Sequence, residues 1–197
     1  MSYIANRTEG TAGAPLFLTF HGTGGNENQF HGFAESLIPG AYVTSPRGDV
    51  SEFGALRYFK RTGEGVYDMD DLAARTAAMA EFIRSEKAET GATRVIGLGY
   101  SNGANILASV ALAHPDLVDD LILMHPLIPW SPDAQPGLSG RRVLITAGER
   151  DPICPAPLTK SLEGYLKEQG AAVTTQRHPG GHEIVEEEIA AIKTFLS

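Results

Sequence analysis

Short apolar runs alternate along this chain with longer stretches of helical spacing, and few architectures accept that alternation. It is the pattern of a parallel sheet whose strands are buried on both faces by the helices that connect them. The runs are LFLTF at 16–20, AYVTS at 41–45, TRVIGL at 93–98, DLILM at 120–124, RRVLITA at 141–147 and AVTTQR at 172–177. A weaker edge strand is expected at 3–7. Between them, 69–88 carries Leu72, Thr76, Met79 and Ile83 on one helical face, and 183–196 carries Val185, Ile189, Ile192 and Leu196. Glu183, Glu186, Glu187 and Glu188 open that last helix, where acidic side chains suit the positive end of the helix dipole. Shorter helices are expected at 26–37, 102–113 and 157–169. At 197 residues the chain suits one domain, 1–197, with only Gly- and Pro-rich loops and neither a linker nor an internal repeat.

In such a sheet the chemistry gathers beyond the carboxyl ends of the strands, so the residues that follow each run matter most. The stretch VIGLGYSNGAN at 95–105 has two incompatible readings. Gly97, Gly99 and Gly103 after an apolar run approach a dinucleotide-binding fingerprint, whereas Gly99-Tyr100-Ser101-Asn102-Gly103 is G-x-S-x-G, the sharp turn that presents a nucleophilic serine. In the second reading Gly99 and Gly103 leave room beside Ser101, and the Asn102 N–H at the helix start is an oxyanion donor.

Three downstream loops decide between the readings. GERDPICP follows the 141–147 strand and places Asp151 at a loop tip, ahead of its competitor Glu149. HPGGHEI follows the last strand, and His182 beyond two glycines has more freedom to reach a serine than His178 before Pro179. HPLIPWSP follows the 120–124 strand; His125 there precedes any candidate acid and reads as structural or pocket-lining. Ser101, Asp151 and His182 therefore run in the order of an α/β-hydrolase triad, in which the histidine takes the serine proton and the acid fixes the imidazole tautomer. The dinucleotide reading needs an acid at the end of the next strand, but Asp119 and Asp120 stand at its start, and the glycine spacing is one residue too long.

Other loops leave alternatives open. HGTGGNENQF after the first strong strand is either a Gly-rich turn or an oxyanion loop with the Thr23 N–H as donor. Trp130 either walls an acyl pocket or plugs the surface of the core. The 46–68 segment is long for a strand-to-helix link and is a candidate substrate wall. Its Arg57, Lys60 and Arg61 read as a solvated cluster paired with Asp49, Glu52 and Glu64, or as a grip for a substrate carboxylate or phosphate. Arg47, directly after a strand, is a candidate pocket residue.

Taken together, HGTGGNENQF, SPRG, RYFKR, YDMDDL, GYSNGANI, PLIPW, GERDPICP and HPGGHEI resemble the small cytosolic phospholipase/carboxylesterase family of α/β hydrolases, over residues 16–184. Within it they are most similar to bacterial predicted hydrolases associated with quinone or metal stress, and the family is related to dienelactone hydrolases. The resemblance implies a cap-less minimal α/β-hydrolase fold, mostly parallel with helices on both faces, and esterase activity on small acyl esters. It implies Ser101 as nucleophile, Asp151 as acid and His182 as base, with the Thr23 and Asn102 backbones as oxyanion donors. Asn102 stands where the acyl-protein thioesterase branch carries Gln, which weakens the transfer of that branch's substrate. Dienelactone hydrolases carry a cysteine where this elbow has serine, and the N-terminal strands of a full hydrolase sheet are expected to be shortened. Acyl-thioesterase or lysophospholipase activity, and a slow-turnover hydrolase-fold binding or sensor protein, are the alternative functions.

Charge and composition narrow the partners. A formal net charge of -8 argues against nucleic acid and anionic membrane surfaces. The lone Cys154 leaves no internal disulfide, and the apolar runs are too short to span a bilayer. The chain opens without a basic region followed by a long apolar stretch, so a cytoplasmic enzyme needing neither metal nor cofactor is expected. A homodimer would be in keeping with small hydrolases, though no stretch of the sequence encodes one by itself.

Overall fold

The computed structural model describes residues 3–197. Its elements in chain order are β1 (Ala5–Thr8), β2 (Leu16–Phe20), α1 (His31–Leu37), β3 (Tyr42–Pro46), β4 (Val50–Glu52), β5 (Ala55–Arg57), β6 (Arg61–Gly63), β7 (Val66–Tyr67), α2 (Met69–Thr90), β8 (Val95–Tyr100), α3 (Asn102–Ala113), β9 (Asp120–Met124), β10 (Arg142–Gly148), α4 (Ala156–Glu168), β11 (Ala172–His178) and α5 (Glu186–Leu196). Seven strands form one sheet in the order β1-β3-β2-β8-β9-β10-β11. Every pairing in it is parallel except β1 with β3, the edge pair that begins with Ala5 opposite Pro46. This is the mostly parallel, helix-covered sheet expected.

The strand periodicity of two divides the core. Leu16, Leu18, Phe20, Leu121, Leu123, Val143 and Ile145 face α2, α3 and α4, together with Met79, Ile83, Ile106 and Leu107. Phe17, Ile96, Leu98, Ile122 and Leu144 face the other way, onto Ala34 of α1 and Ile192 and Phe195 of α5. On β8 the α3-facing positions are Gly97 and Gly99, and α3 lies so close that a Cβ on Gly99 would meet Gly103 O at 2.5 Å. α2 starts where Asp68 accepts the Asp71 N–H at 3.0 Å, and it ends at left-handed Gly91 (φ 65°). Among the described residues no helix is long and apolar enough to cross a membrane.

Several features depart from the sequence reading. The helix expected from 26 begins only at His31, because the Asn26 side chain accepts the Asn28 N–H (2.9 Å) and holds a local turn that competes with helix. The last helix begins at Glu186, not 183, since Val185 is extended (φ -117°, ψ 165°) and Glu183 folds back to accept the Gly181 N–H. Glu188, expected among the acids that suit the helix dipole, is wholly buried. The 46–68 segment is no irregular loop but two hairpins, β4–β5 and β6–β7. Phe53 and Gly54 both take positive φ (51° and 90°), giving the two-residue turn that the twist of paired strands favours. A phenylalanine in that role hides the hairpin from sequence reading.

Candidate active site

The chain is strained at the end of β8. Ser101 has φ 52° and ψ -117°, which a side-chain-bearing residue adopts only when its surroundings enforce it. Here they do. The Ser101 N–H donates to Met124 O (2.8 Å), and a Cβ on Gly103 would fall 2.2 Å from Phe20 O. The turn thus exists only with glycines at 99 and 103, and it carries the Ser101 hydroxyl into a pocket of about 380 Å³.

Across that pocket the β11–α5 loop brings in His182. Its Nε2 lies 2.9 Å from Ser101 Oγ and its Nδ1 lies 2.7 Å from Asp151 Oδ2. Because ionised Asp151 can only accept, His182 carries its proton on Nδ1 and turns the Nε2 lone pair toward the serine. Asp151 Oδ1 accepts the Ile153 and Cys154 N–H groups at 2.8 and 2.9 Å, and Oδ2 also accepts from His125 Nδ1 at 2.9 Å. Burial works to raise this carboxyl, but four donors outweigh it and hold the group below its ordinary range. Tyr100 fixes the loop by donating its hydroxyl to His182 O (2.6 Å).

Behind the acid lies an arrangement that sequence reasoning did not anticipate. His125, wholly buried and itself at positive φ (49°), stands between Asp151 and Glu188, with Nε2 3.0 Å from Glu188 Oε1. That second contact is off the hydrogen-bond direction and acts as an ion pair. Burial pushes the imidazole down, yet the two carboxylates prevail and leave it raised, while Glu188 is lowered in turn. His178 packs beside them with Nε2 3.7 Å from Glu188 Oε2, and it does not line the pocket that holds Ser101. His125, His178 and Glu188 converge closely enough to suggest a cation site. However, His178 Nδ1 accepts the Gly180 N–H (3.1 Å), so Nε2 bears the proton and has no lone pair to give a metal.

The oxyanion candidates meet at the same place. Thr23 and Asn102 both line the pocket beside Ser101. Asn102 is the first residue of α3, so its N–H has no intrahelical acceptor, and the Thr23 N–H donates to no described residue. His21 staples this loop, its Nδ1–H on Gly22 O (2.7 Å) and its Nε2 accepting the Gly48 N–H (2.9 Å). Gln29 Oε1 accepts the Gly22 N–H at 2.8 Å. The position of His21 directly after a strand was the signal that could have found it.

Of the substrate candidates, this pocket is lined by Arg61 and, more deeply buried, by Arg57. Arg57 is no solvated loop residue: it is 3% exposed, with Nη1 2.9 Å from Thr23 Oγ1 and Nε 3.3 Å from Phe59 O. The expected solvated cluster is split up. Lys60 is exposed beside Asp71, Asp49 pairs with Arg75, and Glu52 serves both Arg57 and Arg61. Arg47 turns away from the pocket and forms a two-pronged pair with Glu27. Trp130 also lies outside it, edge-on to Tyr67 at 6.2 Å over the α2/α3 side of the core, and so plugs the surface instead of walling the site. Asp119 and Asp120 pair with Arg141 and Arg94 at the opposite end of β9, away from any place a ribose acid would occupy.

Known proteins resemble this chain in sequence and in fold. MhqD of Bacillus subtilis (strain 168), described as a hydrolase, is 40% identical over 176 residues, 88% of each chain. A protein of unknown function from Agrobacterium tumefaciens, Atu2452, is 57% identical with a TM-score of 0.94, over 98% of this chain and 95% of that one. The Bacillus cereus carboxylesterase is 34% identical with a TM-score of 0.92, over 98% and 93%. The sequence profile of the Ndr family matches residues 53–131, less than half of the chain.

Proposed function

Since the chain belongs to the α/β-hydrolase family of esterases, we propose that it is a serine carboxylesterase that cleaves small acyl esters through an acyl-enzyme. Ser101 Oγ attacks the ester carbonyl carbon as His182 Nε2 takes its proton, and Asp151 stabilises the imidazolium that forms. The carbonyl oxygen gains negative charge and is received by the Thr23 and Asn102 N–H groups. Collapse breaks the bond to the alcohol oxygen, which takes the proton from His182. A water molecule, deprotonated by the same nitrogen, then attacks the acyl-serine; collapse breaks the bond to Ser101 Oγ, which takes the proton back from His182 as the acid leaves. Every proton moves through one atom, His182 Nε2, so the reaction calls on no metal or cofactor.

The observation that carries this reading is the placement of His182 between Ser101 Oγ at 2.9 Å and Asp151 Oδ2 at 2.7 Å. One continuous seven-stranded sheet also supports a single domain. The test is turnover of short p-nitrophenyl esters by wild type and Ser101→Ala, with fluorophosphonate labelling of both. A loss of roughly 10⁴–10⁶-fold in a variant that still melts cooperatively is expected, with labelling confined to wild type. Wild-type turnover by Ser101→Ala would sink the mechanism, and labelling without turnover would favour a slow binding or sensor role.

A further inference from the structure

The pocket wall contributed by the two hairpins contains a charge that the reaction just described does not use. Arg57 is almost fully buried, yet it lines the pocket that holds Ser101. A guanidinium has five N–H groups to satisfy. Nε donates to Phe59 O, and Nη1 donates to Thr23 Oγ1 and lies 3.3 Å from Glu52 Oε2. Nη2 makes no hydrogen bond to any described residue.

The pairing of charges is also uneven. Glu52 is shared, since Arg61 Nε lies 3.0 and 3.1 Å from its two oxygens. Glu64, the other acid on this wall, is mostly exposed and stands 3.6 Å from Arg61 Nη1. Two cations and two acids thus meet on this wall, but Arg57 has no acid to itself: it shares the partly exposed Glu52 with Arg61. Burial works against the Arg57 charge, and a desolvated cation is stabilised most by an anion with which it can form paired hydrogen bonds. Asn102, on the same pocket, has its Oδ1 taken by the Tyr58 N–H (2.8 Å) and its buried Nδ2 left without a partner.

We propose that Arg57 is the anchor of an anion subsite, and that the substrates are esters bearing a carboxylate a few bonds from the scissile carbonyl. The distance follows from Thr23: its side chain holds Arg57 and its backbone N–H is the proposed oxyanion donor. The carboxylate therefore lies within one residue's reach of the reacting carbon. This substrate class rests on the hydrolase reading above, whereas the anion subsite itself does not.

The test has a turnover arm and a binding arm. Proton release at constant pH compares monoethyl succinate with ethyl valerate, placing the charge on the acyl side, and 3-acetoxypropanoate with propyl acetate, placing it on the alcohol side. Wild type is expected to favour the charged member of at least one pair by 10-fold or more in kcat/KM, and that pair identifies the side. In Arg57→Gln the charged-to-neutral ratio should fall by about 10–100-fold, and in Glu52→Gln it should rise. Arg57→Lys should recover part of the ratio. In the binding arm, calorimetry follows succinate binding to Ser101→Ala and to Ser101→Ala/Arg57→Gln, with affinity lost in the second. Turnover of the neutral esters with no preference, and no succinate binding, overturns the proposal. Succinate binding that depends on Arg57 without ester turnover by wild type overturns the hydrolase reading and leaves the subsite standing. The wild-type preference and Glu52→Gln remain decisive if Arg57→Gln fails to fold.

Discussion

Replacing His125 by leucine removes the cation from a buried row of charges while nearly preserving volume. In the folded protein His125 separates Asp151 from Glu188, at 2.9 and 3.0 Å, and all three side chains are fully shielded from solvent. The variant leaves Glu188 with the Val185 N–H (2.8 Å) and without its nearest cation, while Asp151 keeps His182 and two backbone donors. Breaking a buried ion pair by removing one partner costs about 3–5 kcal/mol. In a chain of this size each kcal/mol moves the melting temperature by about 2–4 °C, so His125→Leu should melt roughly 6–20 °C lower. The raised imidazole contributes stability in full below its ordinary value of 6.5, and loses it as pH climbs through the raised folded value. The lowered carboxyls contribute in full above their ordinary values, 3.8 for Asp151 and 4.5 for Glu188, and lose it as pH falls through their folded values. The gap to wild type should therefore be widest between about pH 4.5 and 6.5, and it should narrow in both alkali and stronger acid. The double variant His125→Leu/Glu188→Leu should recover much of the loss, because apolar packing commonly replaces a buried pair without penalty. Calorimetric melts from pH 3 to 10 measure all of this. A single variant within ~2 °C of wild type at pH 6, or a double variant no better than the single, refutes the reasoning.

The elbow glycines should differ sharply in tolerance. Gly103→Ala drives a Cβ against backbone carbonyls at 2.2 and 2.5 Å, so a destabilisation of about 1–3 kcal/mol and loss of esterase activity are expected in melts and p-nitrophenyl ester assays. Gly97→Ala meets the Leu107 methyls first, at 2.8 and 3.0 Å, and a flexible side chain can yield; it should cost about 1 kcal/mol or less and keep most activity. Gly91→Ala meets nothing but its own positive φ of 65°, so a loss of about 1 kcal/mol in denaturant melts is expected, with kcat unaltered. Cys154 is 1% exposed, donates to His125 O, and is pushed well above the ordinary thiol range by burial. Iodoacetamide at pH 8 should alkylate it at least ~100-fold more slowly in the native than in the unfolded chain, as followed by mass spectrometry.

The central strands were legible because each is an apolar run buried on both faces, and LFLTF and DLILM match β2 and β9 to the residue. The convergence of Ser101, Asp151 and His182 could be foreseen because the chemistry depends on loop position and chain order, both visible in one dimension. Arg57 and His125 could not be placed that way. Whether an arginine is solvated or buried depends on the hairpin that carries it, and the Phe53-Gly54 turn gives no ordinary hairpin signal. Glu188 shows the same limit: at the start of a helix an acid suits the dipole, and only the sheet packing beneath reveals two histidines waiting for it. Arg47 follows a strand and Trp130 lies in the loop after one, but their side chains find partners away from the pocket, Arg47 on Glu27 and Trp130 over the α2/α3 side of the core.

The sheet order has a bearing on how activity first arises. The proposed nucleophile and base are 81 positions apart and the acid precedes the base by 31, so the site closes only by contacts between distant parts of the chain. Such contacts form late, because loop closure must precede them. A nascent chain that has completed α4 already holds the strained serine and its acid, yet it has no proton acceptor until β11 docks along β10 at the far edge. Refolding followed by ester cleavage should therefore trail refolding followed by helix content, which makes the appearance of turnover a clock for the closing of the last strand.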